Sequence, residues 1–177
     1  MMERYNPVSI ALHWLIALLI FGAFPLGLYM ADLPLSPQKL QYYSWHKWAG
    51  VTIFLLVLIR ILWRIGHKPP APVPMPRWQR QASDAVHYML YAFMIVIPLS
   101  GWLLSSAKGM QTVWFGVLPL PDLVGKNKEL GETLHELHEM LNYGMLLLFG
   151  LHVAAALKHQ FIDKDHLLSR MNPFART

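Results

Sequence analysis

The chain has 177 residues, 55% of them apolar and only 14% charged, and the charged share of a soluble globule is nearer about 25%, so the chain is one solvated largely by lipid. It has no cysteine, which excludes disulfides, thiolate metal sites, iron–sulfur ligation and the covalent attachment of c-type haem; any metal cofactor must hang on His, Met or carboxylates. The formal net charge of +5 leaves nucleic acid open as a partner until the charges are placed.

Spanning about 30 Å of hydrocarbon takes roughly 20 helical residues, and four apolar segments are long enough. The first runs from about Val8 to Met30. Its length, and the lack of a small-x-small cleavage site after it, set it apart from a cleavable signal peptide. A short Pro-containing loop, Asp32 to Ser44, leads to the second span, about Trp45 to Ile65. Pro69, Pro70, Pro72, Pro74 and Pro76 then predict a stiff, extended polyproline II connector. The third span covers about Ala82 to Leu104, and the longest loop, Ser105 to Thr133, leads to the fourth, about Leu134 to Phe161. The Glu-rich stretch Glu129 to Glu139 is expected to start the fourth helix above the membrane. Pro25 and Pro98 fall inside spans and predict kinks that neighbouring helices tolerate in lipid. The expected architecture is all-α: one integral membrane domain over residues 1–177, a four-helix bundle.

Lys and Arg are distributed unequally between the two sides. Arg4, Arg60, Arg64, Lys68, Arg77, Arg80, Lys158, Lys164, Arg170 and Arg176 flank the side of both termini and the Pro-rich connector. Lys39, Lys47, Lys108, Lys126 and Lys128 lie on the other. Both termini are therefore expected in the cytoplasm. Because the basic residues are split among membrane flanks, topology accounts for the charge and nucleic acid does not. The seven tryptophans cluster at span ends, as interface anchors do.

Nine histidines lie mostly in or beside the apolar runs. His138 and His152 are fourteen residues apart, about 40° short of four full turns and about 21 Å along the axis, so they share one face of the fourth span at two depths. His46, at the outer start of the second span, matches the level of His138. His13, just inside the first span, matches that of His152. Two imidazole pairs inside an apolar bundle suit two stacked bis-His b haems. A lone intramembrane His is often a satisfied polar residue, and a proton relay or zinc-type site is the main competitor, though no intramembrane carboxylate accompanies these four. His87 lies at the depth of His13 and His152 and could replace either or bond a propionate. His135, one turn outward of His138, competes similarly but is expected to be solvated. His159 shares the face of His152 at the inner surface, either as a snorkelling interface residue or as a proton donor to a quinone. Arg60, fourteen residues after His46 on the same face, either faces a haem propionate or snorkels to the interface. His67 and His166 read as ordinary loop residues.

The stretches S-I-A-L-H-W, Y-Y-S-W-H-K-W-A-G, V-L-I-R-I-L-W-R, H-Y-M-L-Y, H-E-M-L-N-Y-G-M…G-L-H-V-A-A-A-L-K-H and D-K-D-H-L-L-S-R-M resemble the prokaryotic cytochrome b561 family over nearly the whole chain. The resemblance implies a di-haem cytochrome b of the bacterial inner membrane with ligand pairs His13/His152 and His46/His138, exchanging electrons with membrane quinone. A superoxide oxidase within that family passes electrons from superoxide to ubiquinone. Lys108, in S-A-K-G-M-Q-T-V-W-F-G, resembles a cationic position of that enzyme's outer loop, and Lys47, Lys126 and Lys128 add charge nearby that would steer a small anion. Against this, Asp122, Glu129, Glu132, Glu136 and Glu139 leave the outer side no more than neutral. The alternatives are a haem-bearing anchor subunit serving a partner dehydrogenase or hydrogenase, and a haem-free His-dependent transporter.

Overall fold

The computed structural model describes residues 4–174; Arg176, one of the basic residues assigned to the cytoplasmic side, lies outside them. Helix starts are written in the sequence by capping. The Asn6 side chain accepts from the Val8 N–H (2.9 Å), and Pro7 opens α1, Pro7–Ala31. The Ser36 hydroxyl accepts from the Lys39 N–H (3.2 Å), and Pro37 opens α2, Pro37–Gly66. Asn127 caps α4, Lys128–Lys158, by accepting from the Leu130 N–H at 3.0 Å. In α3, Arg77–Ala107, the residue before the helix is Pro76, which makes no side-chain cap. All four helices begin before the apolar segments, most visibly α2, which begins at Pro37 and not near Trp45, while α4 ends as an α-helix at Lys158, short of Phe161. Hydropathy marks what meets hydrocarbon, whereas the cap marks where the helix begins.

Both α1 and α3 pass through their internal prolines, Pro25 and Pro98, as single helices. No helix or strand forms between His67 and Pro76. After α4 the chain makes a π-helical turn, His159–Asp163, and a 3₁₀ turn, Leu167–Met171. The long loop before α4 holds a two-stranded antiparallel hairpin, β1 (Val113–Trp114) and β2 (Leu118–Pro119). Its turn places Phe115 (φ 50°) and Gly116 (φ 72°) in the left-handed region and closes with Val117 N–H donating to the Trp114 carbonyl at 3.1 Å. That is the primed geometry matching strand twist, and Gly116 adopts it without Cβ strain.

Three of the helices, α1 to α3, and the segment Lys128–Asp163 are long and apolar enough to cross a membrane. Large apolar side chains cover the outside: Phe21 is 71% exposed and Ile65 77%. The buried core is a small cluster of Ile16, Ile53 and Val57 joining α1 and α2, with Tyr91, Met94 and Ile95 of α3 against it. Such an inside-out distribution is what lipid permits, because lipid tails are as apolar as the core. Helix α1 packs along α2, α2 along α3 and α3 along α4, while α4 stands off both α1 and α2. The described ends meet on one face of the bundle: Tyr5 N–H donates to the Arg170 carbonyl (3.3 Å), and the Trp14 indole to the Met171 carbonyl (2.8 Å).

The α3–α4 seam depends on Gly144, where an added Cβ would sit 2.7 Å from the Phe93 ring. Gly144→Val should therefore cost about 1–3 kcal/mol by overpacking, seen as a lower melting temperature of the detergent-solubilised protein. The double change Gly144→Val with Phe93→Ala should recover part of the loss.

Candidate functional site

Helix α4 is uninterrupted between His138 and His152, so both imidazoles keep the shared face that helical periodicity assigns them. Each reaches across the space that α4 leaves toward another helix. The His46 ring of α2 stands 6.3 Å from the His138 ring, at 84° between planes. The His13 ring of α1 stands 6.1 Å from the His152 ring, at 66°. These are the two pairs matched by depth.

The His46/His138 pair is held by its surroundings. His46 Nδ1–H donates to the Ala23 carbonyl of α1 at 3.1 Å, since a carbonyl can only accept. His138 Nδ1 lies 2.8 Å from the Ser100 hydroxyl of α3, which gives its proton to the Ile97 carbonyl at 2.8 Å. The serine oxygen is then the acceptor, and His138 Nδ1 carries the hydrogen. In both rings Nε2 is left with a lone pair, the state in which second-shell partners present imidazole to a metal. Two glycines make room for them. A Cβ on Gly27 would lie 3.1 Å from His46 Cε1, and one on Gly101 would lie 3.1 Å from His138 Cε1.

Toward the end of the bundle where the described ends meet, three imidazoles converge. The His87 ring of α3 is 5.2 Å from that of His152, nearer than His13 is, and His87 Nδ1–H donates to the Ser83 carbonyl at 2.7 Å. Arg60 sits at this level: its Nε donates to the Tyr91 hydroxyl (2.9 Å) and its Nη1 to the Ser9 carbonyl (2.8 Å), one turn before His13. The structure thus ties the guanidinium across α1, α2 and α3.

His159, 14% exposed, places Nδ1 2.6 Å from an Asp165 carboxylate oxygen and 3.3 Å from one of Asp163, which also pairs with Lys158 at 2.5 Å. The sequence reading gives neither aspartate a role, although Asp163 follows His159 by one turn. Lys108 caps the end of α3 and is exposed, its stem lying over Gly131. Close to it, Lys126 lies over Gly109, and Lys47 donates to the Met110 carbonyl at 2.8 Å. The hairpin, which sequence patterning missed in so short a strand pair, is pinned to α2 beside His46 by the Trp48 indole on the Val113 carbonyl (2.7 Å) and the Trp114 indole on Thr52 (3.2 Å). His135 is exposed on α4. His67 stacks on Trp63 at 3.8 Å, and His166 takes a left-handed conformation (φ 55°) in the turn after α4.

The donor set can be tested against a haem. Two imidazoles on opposite sides of one metal, with bonds of about 2 Å and roughly 1 Å more to each ring centre, stand about 6 Å apart. Both pairs meet that spacing, with rings on facing helices, where α4 leaves space beside α1 and α2. The residues fit b-type haem. This is the architecture of a multi-pass membrane cytochrome: apolar helices with paired intramembrane histidines. A sequence profile of the prokaryotic cytochrome b561 family matches residues 4–173, and the chain belongs to that family, whose members bind b haems and transfer electrons in the membrane. The chain is 36% identical to cytochrome b561 homolog 2 of Escherichia coli K12, covering 96% of this chain and 91% of that protein. It is 31% identical to cytochrome b561 homolog 1 of the same organism, over 97% and 98%. With the probable superoxide oxidase CybB of Yersinia pestis it shares 30% identity, over 99% of each.

Because Gly101 carries no side chain where His138 passes, Gly101→Leu should displace that imidazole and lower haem content, measured as pyridine haemochrome. Ser100→Ala should keep the haem and shift a midpoint potential in redox titration, since it removes only the partner of Nδ1.

Proposed function

We propose that this chain is a di-haem cytochrome b of the bacterial inner membrane that carries electrons from superoxide on the outer side to ubiquinone, its termini in the cytoplasm. The observation that carries the reading is the pair of imidazole couples, His46/His138 and His13/His152, displayed at two depths by one continuous helix. A b haem held by each of these couples would supply a one-electron carrier there. His87 and Arg60 stand beside the inner couple to bond its propionates.

Superoxide is favoured as donor by two observations. One full-length relative carries the name probable superoxide oxidase. The outer loops gather Lys47, Lys108 and Lys126 around Gly109 and Met110, beside the hairpin that adjoins His46. A small short-lived anion must be captured quickly, and local positive potential speeds capture. Each superoxide gives up one electron and leaves as dioxygen. A quinone that takes two such electrons also takes two protons, and His159 at the inner surface is the residue proposed to hand one over, with Asp165 on its Nδ1.

The haem, donor and proton-relay assignments can each be tested. Pyridine haemochrome analysis should give two haems b per chain, falling to one in both His152→Ala and His138→Ala; a count of one in the unaltered protein would falsify the two-site arrangement. In stopped-flow mixing, Lys108→Glu should slow haem reduction by superoxide several-fold, the difference shrinking as salt screens the charge, with reduction by quinol unchanged. In the same assay His159→Ala should slow quinone reduction with both haem spectra intact. If the lone chain failed to reduce quinone with superoxide but co-purified with a large dehydrogenase, the anchor-subunit reading would replace this one.

A further inference from the structure

Between Lys108 and Asp122 no residue carries a charge, and the hairpin lies within that stretch. A loop in water turns its large apolar side chains inward, yet Phe115, Val117 and Leu118 are exposed, Val117 at 83%. The contacts of this loop descend α2. Lys47 donates to the Met110 carbonyl, the Trp48 ring lies 5.3 Å from that of Phe115, and the Trp114 indole reaches Thr52. Thr52 is seven residues past Trp45, where the apolar part of α2 begins, or about 10 Å deeper at 1.5 Å per residue. A seven-residue step returns to the same helix face within about 20°. Trp48 therefore shares a face with Leu55, and Thr52 with Ile59, and both Leu55 and Ile59 are exposed. The hairpin is laid on a flank that α2 turns to hydrocarbon, at a depth where the apolar run is already under way.

We propose that this hairpin is an interfacial anchor whose tip, Phe115 to Leu118, is immersed in the lipid of the adjoining leaflet. Main-chain polar groups are costly when left bare in lipid, and this loop makes provision for its own. The Gly116 and Val117 N–H groups donate to the Val113 and Trp114 carbonyls, and the Leu120 N–H to that of Thr112. Pro119 and Pro121 have no N–H to satisfy. The Trp48 indole donates to the Val113 carbonyl, the Gln111 amide to that of Leu120 and the Trp102 indole to that of Pro121. A loop bathed in water needs no such partners. Three indoles, those of Trp48, Trp102 and Trp114, thus bond to this loop or from it, and tryptophan belongs at the boundary between headgroups and hydrocarbon. Lys108 and Asp122, the charges that bracket the stretch, are both exposed at its base. A lipid surface, in preference to a protein partner, is indicated by continuity with the exposed flank of α2 and by a tip without a polar side chain to recognise. The anchor grips α2 at Trp48 and Thr52 and so fixes the depth of the helix that carries His46. The inference is independent of which donor reduces the haems.

The chain has no cysteine, so single-cysteine variants each report on one place. Holoprotein carrying Val117→Cys, Ile59→Cys or Lys128→Cys is reconstituted into phosphatidylcholine vesicles, with haem spectra confirming the fold. A charged maleimide is then supplied on both sides of the bilayer, and alkylation is followed by mass. The reagent stays in water and reacts with thiolate, which does not form in lipid. Lys128, whose side chain is 92% exposed on the loop side, supplies the water reference, and Ile59 the hydrocarbon one. Val117→Cys should be alkylated at least about tenfold more slowly than Lys128→Cys, near the rate of Ile59→Cys. A rate equal to that of Lys128→Cys would overturn the anchor. In a second measurement the unaltered holoprotein is irradiated in vesicles of phosphatidylcholine bearing an acyl-chain diazirine, and adducts should appear on the hairpin peptide. Slow alkylation without any such adduct would overturn the lipid assignment. A disulfide-linked dimer of Val117→Cys under mild oxidation would also overturn it, by making a second copy the occupant.

Discussion

A histidine inside hydrocarbon must find an acceptor for its N–H within the protein, because there is no water to supply one, and this requirement organises the bundle. His46 finds the Ala23 carbonyl on α1, His138 the Ser100 hydroxyl on α3, and His87 the Ser83 carbonyl on its own helix. Each bond consumes Nδ1 and leaves Nε2 bare. The rings are thereby both satisfied and poised, and each interhelical bond also sets the register of a helix against its neighbour. Gly27 and Gly101 belong to the same constraint, since the imidazoles can reach their acceptors only by passing close to a neighbouring backbone.

Helix–helix attraction in lipid is weak unless something specific joins the helices. Here α1, α2 and α3 share the small buried core, whereas α4 is tied closely to α3 alone. The remaining space beside α4 is bridged by imidazole pairs. The fourth helix thus faces α1 and α2 largely through these rings, in place of close backbone packing.

The two ends of the bundle are finished differently. At one, a tryptophan-pinned hairpin covers the approach to His46, and lysines gather on the loop carbonyls around it. At the other, the chain folds back through a π-helical turn that sets Asp165 against His159, and Arg60 and Arg64 of α2, with Lys68 just beyond it, line a cleft whose lining has no Asp or Glu. One imidazole pair is thus approached past lysines, and the other lies toward an end closed by an imidazole–carboxylate contact.

The sequence by itself determined the four membrane helices and the placement of the histidines by face and depth. Both are properties of a single helix: hydropathy over roughly 20 residues, and an angle of 100° per residue, need no neighbour to be evaluated. That is why depth alone pairs His13 with His152 and His46 with His138, and why both pairs meet in the fold. Helix lengths were less legible, because caps such as Ser36 and Asn127 start helices outside the apolar run. Only the tertiary structure decided that α4 stands apart from α1 and α2, that His87 crowds His152, that Ser100 and Ala23 hold the outer rings, and that Asp165 reaches His159. Those facts depend on how one helix face lies against another, and on a turn after α4, where no periodicity within a single segment carries information about the neighbour it will meet.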